Sequence, residues 1–183
     1  FGLFSGHAGM AILSRLPVDE ASARDFSGFL WKDLPGGLGT DPPELAAVQR
    51  LATTGFWDVP VVTEAGPLHL LAWHATPPVF DGPEDRNGRR NHDEATFWRL
   101  FLDGSLPMPP PEGPFVLLGD GNLDPADGDG LRAGIGALLA HPALQDPMPK
   151  GSHGREDKGQ AGDADLDTVL YADLGGLRLD YVL

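Results

Sequence analysis

The run Val116-Leu117-Leu118-Gly119-Asp120-Gly121-Asn122, continued by Leu123-Asp124-Pro125, sets a carboxylate and a carboxamide one glycine apart at the end of an apolar stretch. A buried strand would deliver Asp120 and Asn122 to its C-terminal end. There the carboxylate can polarise water or hold a cation, and the neutral amide can orient a phosphate oxygen without adding repulsion. If strand geometry persists through Gly121, the two side chains point the same way. The glycines leave room for a ligand to approach the backbone. The same composition also marks an ordinary strand-to-turn exit.

A calcium loop competes for this segment, because Asp120-x-Asn122-x-Asp124 has the spacing of an EF-hand start. It fails further on: Pro125 stands where that loop needs glycine, and Leu131 where it needs glutamate. A looser calcium turn built on Asp124, Asp127 and Asp129 stays open, and with it a non-catalytic calcium-binding or interaction domain.

Three other segments carry chemistry. His74 closes the apolar run Leu68–His74 just before Pro77-Pro78, a layer-rim position where sites gather, although a core-edge histidine bonded to a carbonyl reads the same way. Arg89, Arg90 and Asn91 lie in the charged stretch Asp81–Glu94 ahead of a helix and offer donors suited to phosphate. The competing reading is a solvated helix start, with Asp93 and Glu94 complementing the helix dipole. In Arg178-Leu179-Asp180-Tyr181-Val182-Leu183 a carboxylate interrupts an apolar strand, so Asp180 is either buried with a partner or lines a site. His7, His92, His141 and His153 have no spacing that suggests a metal site.

The elements that must position these residues are short and punctuated by 25 glycines and 18 prolines. Gly9–Ser14 reads as a buried strand, and Asp41-Pro42-Pro43-Glu44 as a capped helix start with Leu45, Val48 and Ala52 on one face. Val59–Val62 and Leu68–His74 read as a strand pair turning at Glu64-Ala65-Gly66. Asn91–Leu102 reads as a helix with Phe97, Trp98, Phe101 and Leu102 in a stripe, and Leu131–Ala140 as a second helix. Phe115–Leu118 and Leu177–Leu183 read as strands. Asp103–Pro114, with five prolines, can be neither helix nor central strand, and 145–167 reads as a mobile polar insertion. Strands interleaved with helices indicate one mixed α/β or α+β domain.

Composition narrows the partners. A net charge of −14 disfavours long nucleic acid, whose binding rests on phosphate contacts, but leaves small phosphorylated substrates open because a bound divalent cation reverses the local field. The absence of cysteine excludes disulfides, thiolate metal sites and a cysteine nucleophile. No apolar run reaches the ~20 residues of a membrane helix.

In order along the chain, these pieces resemble the endonuclease/exonuclease/phosphatase superfamily, with its DNase I-like fold. Gly9-Met10-Ala11-Ile12-Leu13-Ser14-Arg15-Leu16-Pro17-Val18 resembles the G-x-A-(V/I)-L-S-R-x-P-(I/V) strand and turn, and His74 the histidine closing the next central strand. Arg89-Arg90-Asn91-His92-Asp93 is similar to the R-R-N-x-D run of inositol polyphosphate phosphatases. Gly119-Asp120-Gly121-Asn122 resembles the G-D-x-N signature, and Asp180-Tyr181-Val182-Leu183 the D-Y-(V/I)-(L/F) strand. The run from Pro77 to Asn91 resembles a bacterial subgroup of the superfamily.

The resemblance implies a four-layer α/β/β/α sandwich and Mg²⁺- or Mn²⁺-dependent in-line hydrolysis of a phosphate ester. The implied substrate is nucleic acid, a phosphoinositide, sphingomyelin or another phosphodiester. It further implies that Asp120 activates water, that Asn122 orients water and phosphate, and that both hold the metal. His74 would contact the phosphate or assist the leaving group, Arg90 and Asn91 would bind substrate, and Asp180 would hold a second histidine. The family's metal-binding Glu and its S-D-H triplet are not in the sequence. Together with the apolar ends Phe1-Gly2-Leu3-Phe4 and Leu177–Leu183, this leads us to expect a partial domain, cut at both ends and nearly inactive alone. A secreted or periplasmic location is the expectation for the parent.

Overall fold

The computed structural model describes residues 9–151 and 158–183, so Phe1–Phe4, His7 and His153 lie outside the described residues. The hairpin expected around Gly66 is present and longer than predicted, joining β2 (Phe56–Thr63) to β3 (Gly66–His74). Gly66, at φ +112°, lies in the backbone region that favours glycine and closes the two-residue loop of Glu64 and Ala65. After β3 the chain crosses over through α2 (Arg86–Leu102) to β4 (Phe115–Asp120), which pairs in parallel with β3. A helical crossover is what parallel neighbours require. With β1 (Arg24–Asp25) and β7 (Asp180–Val182) the main sheet runs β1-β2-β3-β4-β7. A separate hairpin pairs β5 (Val169–Tyr171) with β6 (Gly175–Leu177).

One face of the main sheet carries Phe56, Leu71, Trp73, Leu117 and Tyr181, packed against Phe97, Trp98 and Phe101 of α2 and Ile135 and Leu138 of α3 (Ala133–Leu139). The predicted stripe of α2 is therefore its core face. The Phe56 and Phe97 rings lie with centroids 4.7 Å apart, and burying each such side chain stabilises the fold by about 1.5–3 kcal/mol. Helices on a face of a mixed sheet give the α/β layering expected from the sequence.

Several elements differ from expectation. Gly9–Ser14 forms no strand: Leu13 is 93% exposed, and pairing begins only at the Val18–Val61 bridge. The helix α1 (Pro43–Ala46) has four residues and no side-chain cap. Asp41, the expected cap, pairs instead with Arg86, and Leu45 and Val48 are exposed. The segment Leu177–Leu183 is not one strand. It breaks at Arg178 and Leu179, where the Arg178 N–H donates to Asp124 Oδ2 at 2.8 Å instead of to a sheet neighbour. In the described arms of the 145–167 insertion, Asp146 pairs with Arg178, and the Ala161 and Gly162 amides donate to Asp127.

Candidate active site

In-register partners on neighbouring strands project to the same side of a sheet. His74 is in register with Asp120, and Asp120 with Asp180, so the three form a row across β3, β4 and β7. That row lies at the strand ends, on the face away from Leu71, Trp73 and Leu117 and hence away from the helices. His74 Nε2 is 3.7 Å from Asp120 Oδ2, an ion-pair distance longer than a hydrogen bond. Asp180 is exposed.

Strand geometry does not persist through Gly121. β4 ends at Asp120, and Asn122 adopts a left-handed conformation at φ +52°. Asn122 stays beside Asp120 all the same, because its N–H donates to Asp120 Oδ1 at 2.8 Å and its Nδ2 donates to the Ala75 carbonyl at 2.9 Å. The Ala75 N–H in turn donates to the Asp120 carbonyl at 2.9 Å. His74, Asp120, Asn122 and Asp180 thus lie together at one rim.

Burial pushes the Asp120 carboxyl above the usual carboxylate range. The Asn122 amide and His74 oppose that shift, and Asp180 adds to it. A half-buried carboxyl held up in this way retains a proton affinity suited to a general base.

Beside Asn122 a cavity of about 420 Å³ opens between the Pro77–Phe80 turn and the β5–β6 hairpin, walled by Leu174, Leu177 and Leu179. Its size and apolar lining suit the organic part of a small ligand.

Two expected substrate-binding residues are placed elsewhere. Arg90 is 1% exposed, and its guanidinium donates to the Leu51 carbonyl at 3.0 Å and to the Arg50 carbonyl while lying over the Trp31 ring. It is a core residue and does not face a phosphate. Asn91 is equally buried, and its Nδ2 donates to the Thr76 and Gly121 carbonyls, both at 2.8 Å. It supports the site from beneath. Helix α2 starts at Arg86, so Asp93 and Glu94 fall in its interior instead of its first turn, and both are fully buried. Asp93 accepts from Trp31 Nε1 at 2.5 Å and Leu38 N at 2.6 Å, and Glu94 from Thr53 N at 2.8 Å and Thr76 N at 2.5 Å.

The looser calcium turn is also corrected. Asp124 is buried, with Oδ1 accepting from Ala126 N and Asp127 N and Oδ2 from Arg178 N. Asp127 caps the Ala161 and Gly162 amides. The Asp124 and Asp127 carboxylates thus tie backbone segments together. Among the described residues no group of three or more His, Asp or Glu side chains is arranged to hold a metal ion.

The family model described as Endonuclease/Exonuclease/phosphatase family matches residues 1–183. The chain belongs to that family. Over 129 residues it is 26% identical to a protein named xyloglucanase from a Paenibacillus species, a match covering 67% of this chain and 11% of that protein. It is similar to the crystal structure of sphingomyelinase C from Streptomyces griseocarneus, with a TM-score of 0.48, 17% identity, and coverage of 93% of this chain and 50% of that one. It is also similar to beta toxin from Staphylococcus aureus, with a TM-score of 0.42, 11% identity, and coverage of 80% and 45%. The chain spans about half the length of these two structures and about a tenth of the xyloglucanase.

Within this endonuclease/exonuclease/phosphatase chain, the residues that sequence reasoning missed are those beneath the rim. Thr76 is bonded through both its amide and its carbonyl to α2, and Tyr181 packs its ring under Gly121. The Tyr181 hydroxyl, its pKa pushed up by burial, donates toward the Leu123 and Arg178 carbonyls. The one available signal for Tyr181 was its alternation with Asp180, which puts it on the core face of the strand.

Proposed function

We propose that the protein hydrolyses a phosphate ester or phosphodiester by in-line attack of water at the rim formed by His74, Asp120, Asn122 and Asp180. The observation that carries this reading is the row His74–Asp120–Asp180 in register across three strands, with Asn122 tied to Asp120. Polar residues from three segments far apart in sequence, His74, Asp120 with Asn122, and Asp180, have no packing reason to meet at a strand end. Asp120 takes the proton of the attacking water, and Asn122 holds water and a phosphoryl oxygen in place. His74, half exposed, contacts the phosphate or protonates the leaving oxygen. The apolar cavity beside Asn122 receives the organic group of the ester. The acidic balance of the chain favours a small substrate over a long polyanion.

The family implies a divalent cation, and the donor chemistry fits one. Asp120, Asn122 and the adjacent Asp180 offer oxygen ligands only, the preference of Mg²⁺ and Mn²⁺. Two carboxylates side by side, one raising the other's proton affinity, form a concentration of negative charge that such an ion relieves. Asp120 and Asn122 are the residues that would hold it, and bound there it supplies neutralisation of charge on the phosphoryl oxygens.

The test is hydrolysis of bis-p-nitrophenyl phosphate by the full-length natural protein with Mg²⁺ or Mn²⁺. Asp120→Asn is expected to lower kcat about 1,000-fold while leaving the melting curve intact. Turnover by the Asp120→Asn and His74→Ala proteins equal to that of the unmodified protein would place the chemistry elsewhere.

A further inference from the structure

The hydrogen bonds under the rim converge on two short turns. Thr76, two residues past His74, donates its N–H to Glu94 Oε2 and accepts at its carbonyl from Asn91 Nδ2. The same Asn91 amide donates at 2.8 Å to the carbonyl of Gly121, the residue after Asp120. Glu94 reaches a third strand connection through Thr53 N, whose hydroxyl meets that of Thr76. Asn91, Glu94 and Thr76 are buried, and all of these bonds lie on the helix side, beneath the rim. Water therefore cannot substitute for a lost partner without opening the core, and an unmet buried carbonyl is costly.

We propose that Asn91 is a positioning residue that clamps the turn after His74 to the turn after Asp120, that Glu94 holds the first of these turns to Thr53, and that the two together fix the spacing of the His74 and Asp120 side chains. Helix α2 does this from its interior. Asn91 and Glu94 are three apart and so lie on one helix face, which lets a single rigid element fix both strand ends at once. The bond from Asn122 Nδ2 to the Ala75 carbonyl closes the same seam from the rim side. Within the proposed reaction, on which this inference rests, the clamp supplies orientation. Its loss should slow chemistry more than it weakens binding, since a displacement of about 1 Å costs as much as about 100-fold in rate.

The experiment compares the unmodified full-length protein with Asn91→Leu and Glu94→Gln. Both substitutions keep side-chain size and remove the pattern of donors or acceptors. The reporter is the Asn122 backbone amide proton at one pH, whose shift reads its bond to Asp120 Oδ1, with Asp120→Ala giving the shift of the broken bond. Because Asn91 bonds the carbonyl of the same Gly121–Asn122 peptide group, the shift is read in Glu94→Gln, which we expect to move it at least a third of the way to the Asp120→Ala position. We also expect kcat on bis-p-nitrophenyl phosphate to fall about tenfold to 100-fold, with KM held within about threefold.

A lowered melting temperature with the Asn122 signal and kcat unchanged would show these residues to be ordinary core groups and overturn the clamp. If the unmodified protein shows no turnover, the functional reading fails, and the Asn122 signal still decides the clamp. If neither variant folds, hydrogen exchange in the unmodified protein decides. The Thr76 amide, outside any strand, must exchange as slowly as the Leu71 amide in β3, and fast exchange there overturns the proposal.

Discussion

Asp120 and Asp180 face each other as in-register partners on antiparallel strands, and Asp180 helps burial raise the Asp120 carboxyl above its ordinary range. Like charges placed directly opposite in a sheet oppose each other, and a structural ladder avoids them. Here the pair sits at the strand ends, next to His74.

Asp180→Asn removes that neighbouring charge without changing the size of the side chain. The proton affinity of Asp120 then falls, so the acidic limb of the pH–rate profile should move to lower pH. The sign follows from the role: the base must be deprotonated, and a lower pKa keeps it so in more acid solution. An unchanged or alkaline-shifted limb on bis-p-nitrophenyl phosphate would contradict the assignment of Asp120 as the base.

The rim itself was legible in the sequence. An apolar strand that ends in a polar residue states where its last side chain goes, and His74 and Asp120 end β3 and β4 in that way. What lies beneath the rim was not legible. The charged run Arg86–Glu94 has the composition of a solvated helix start, yet Arg86 is paired with Asp41, Arg90 with backbone carbonyls and Asp93 with Trp31. Hydropathy cannot report that a charge is buried when its partners come from distant segments. The run Gly9–Ser14 failed for the opposite reason: its apolar pattern promises a strand, but a strand needs a neighbour, and its residues find none before Val18. The same dependence broke Leu177–Leu183 in two, since Asp124 captures the Arg178 amide.

Arg90 gives a prediction that separates structure from substrate binding. Arg90→Met removes the bonds to the Leu51 and Arg50 carbonyls and leaves Glu94 buried without its nearby cation. The expected cost is about 3–5 kcal/mol in urea unfolding, from two lost charge-assisted hydrogen bonds and the two buried carbonyls left unmet. KM for the ester should stay unchanged in whatever fraction folds. A stable variant with a raised KM would restore Arg90 to the substrate.

Glu94 gives stability a dependence on pH. Burial raises its pKa from 4.5 to about 7, against the pull of the Thr76 and Thr53 amides and Arg90. The folded state thus holds this proton more tightly than the unfolded chain does. Its contribution is fully present below about pH 4.5 and is lost as pH rises to about 7, a change of about 3 kcal/mol. Relative to Glu94→Gln, which does not titrate there, the unmodified protein should lose that much stability between pH 4.5 and 7.5. Parallel unfolding free energies across this window would show that Glu94 is ionised throughout.

Two glycines that look alike in sequence should respond in opposite directions to alanine. Gly119 sits in β4 at φ +152°, in register with Trp73, and a Cβ there would overlap the Trp73 carbonyl oxygen. That oxygen is backbone in the central strand pair and cannot swing aside as a side chain can. Gly119→Ala must therefore push β4 from β3 at the residue that precedes Asp120, and we expect a loss of more than about 3 kcal/mol together with loss of turnover. Gly136 lies inside α3 with nothing within 4 Å of its notional Cβ. Gly136→Ala should stabilise the protein by about 0.5–1 kcal/mol, because alanine loses less backbone entropy in a helix. Urea unfolding of both variants in one buffer reads the contrast directly. A Gly119→Ala protein as stable as the Gly136→Ala protein would mean that β3 and β4 do not approach as closely as their register requires, and the row His74–Asp120–Asp180 would lose its footing.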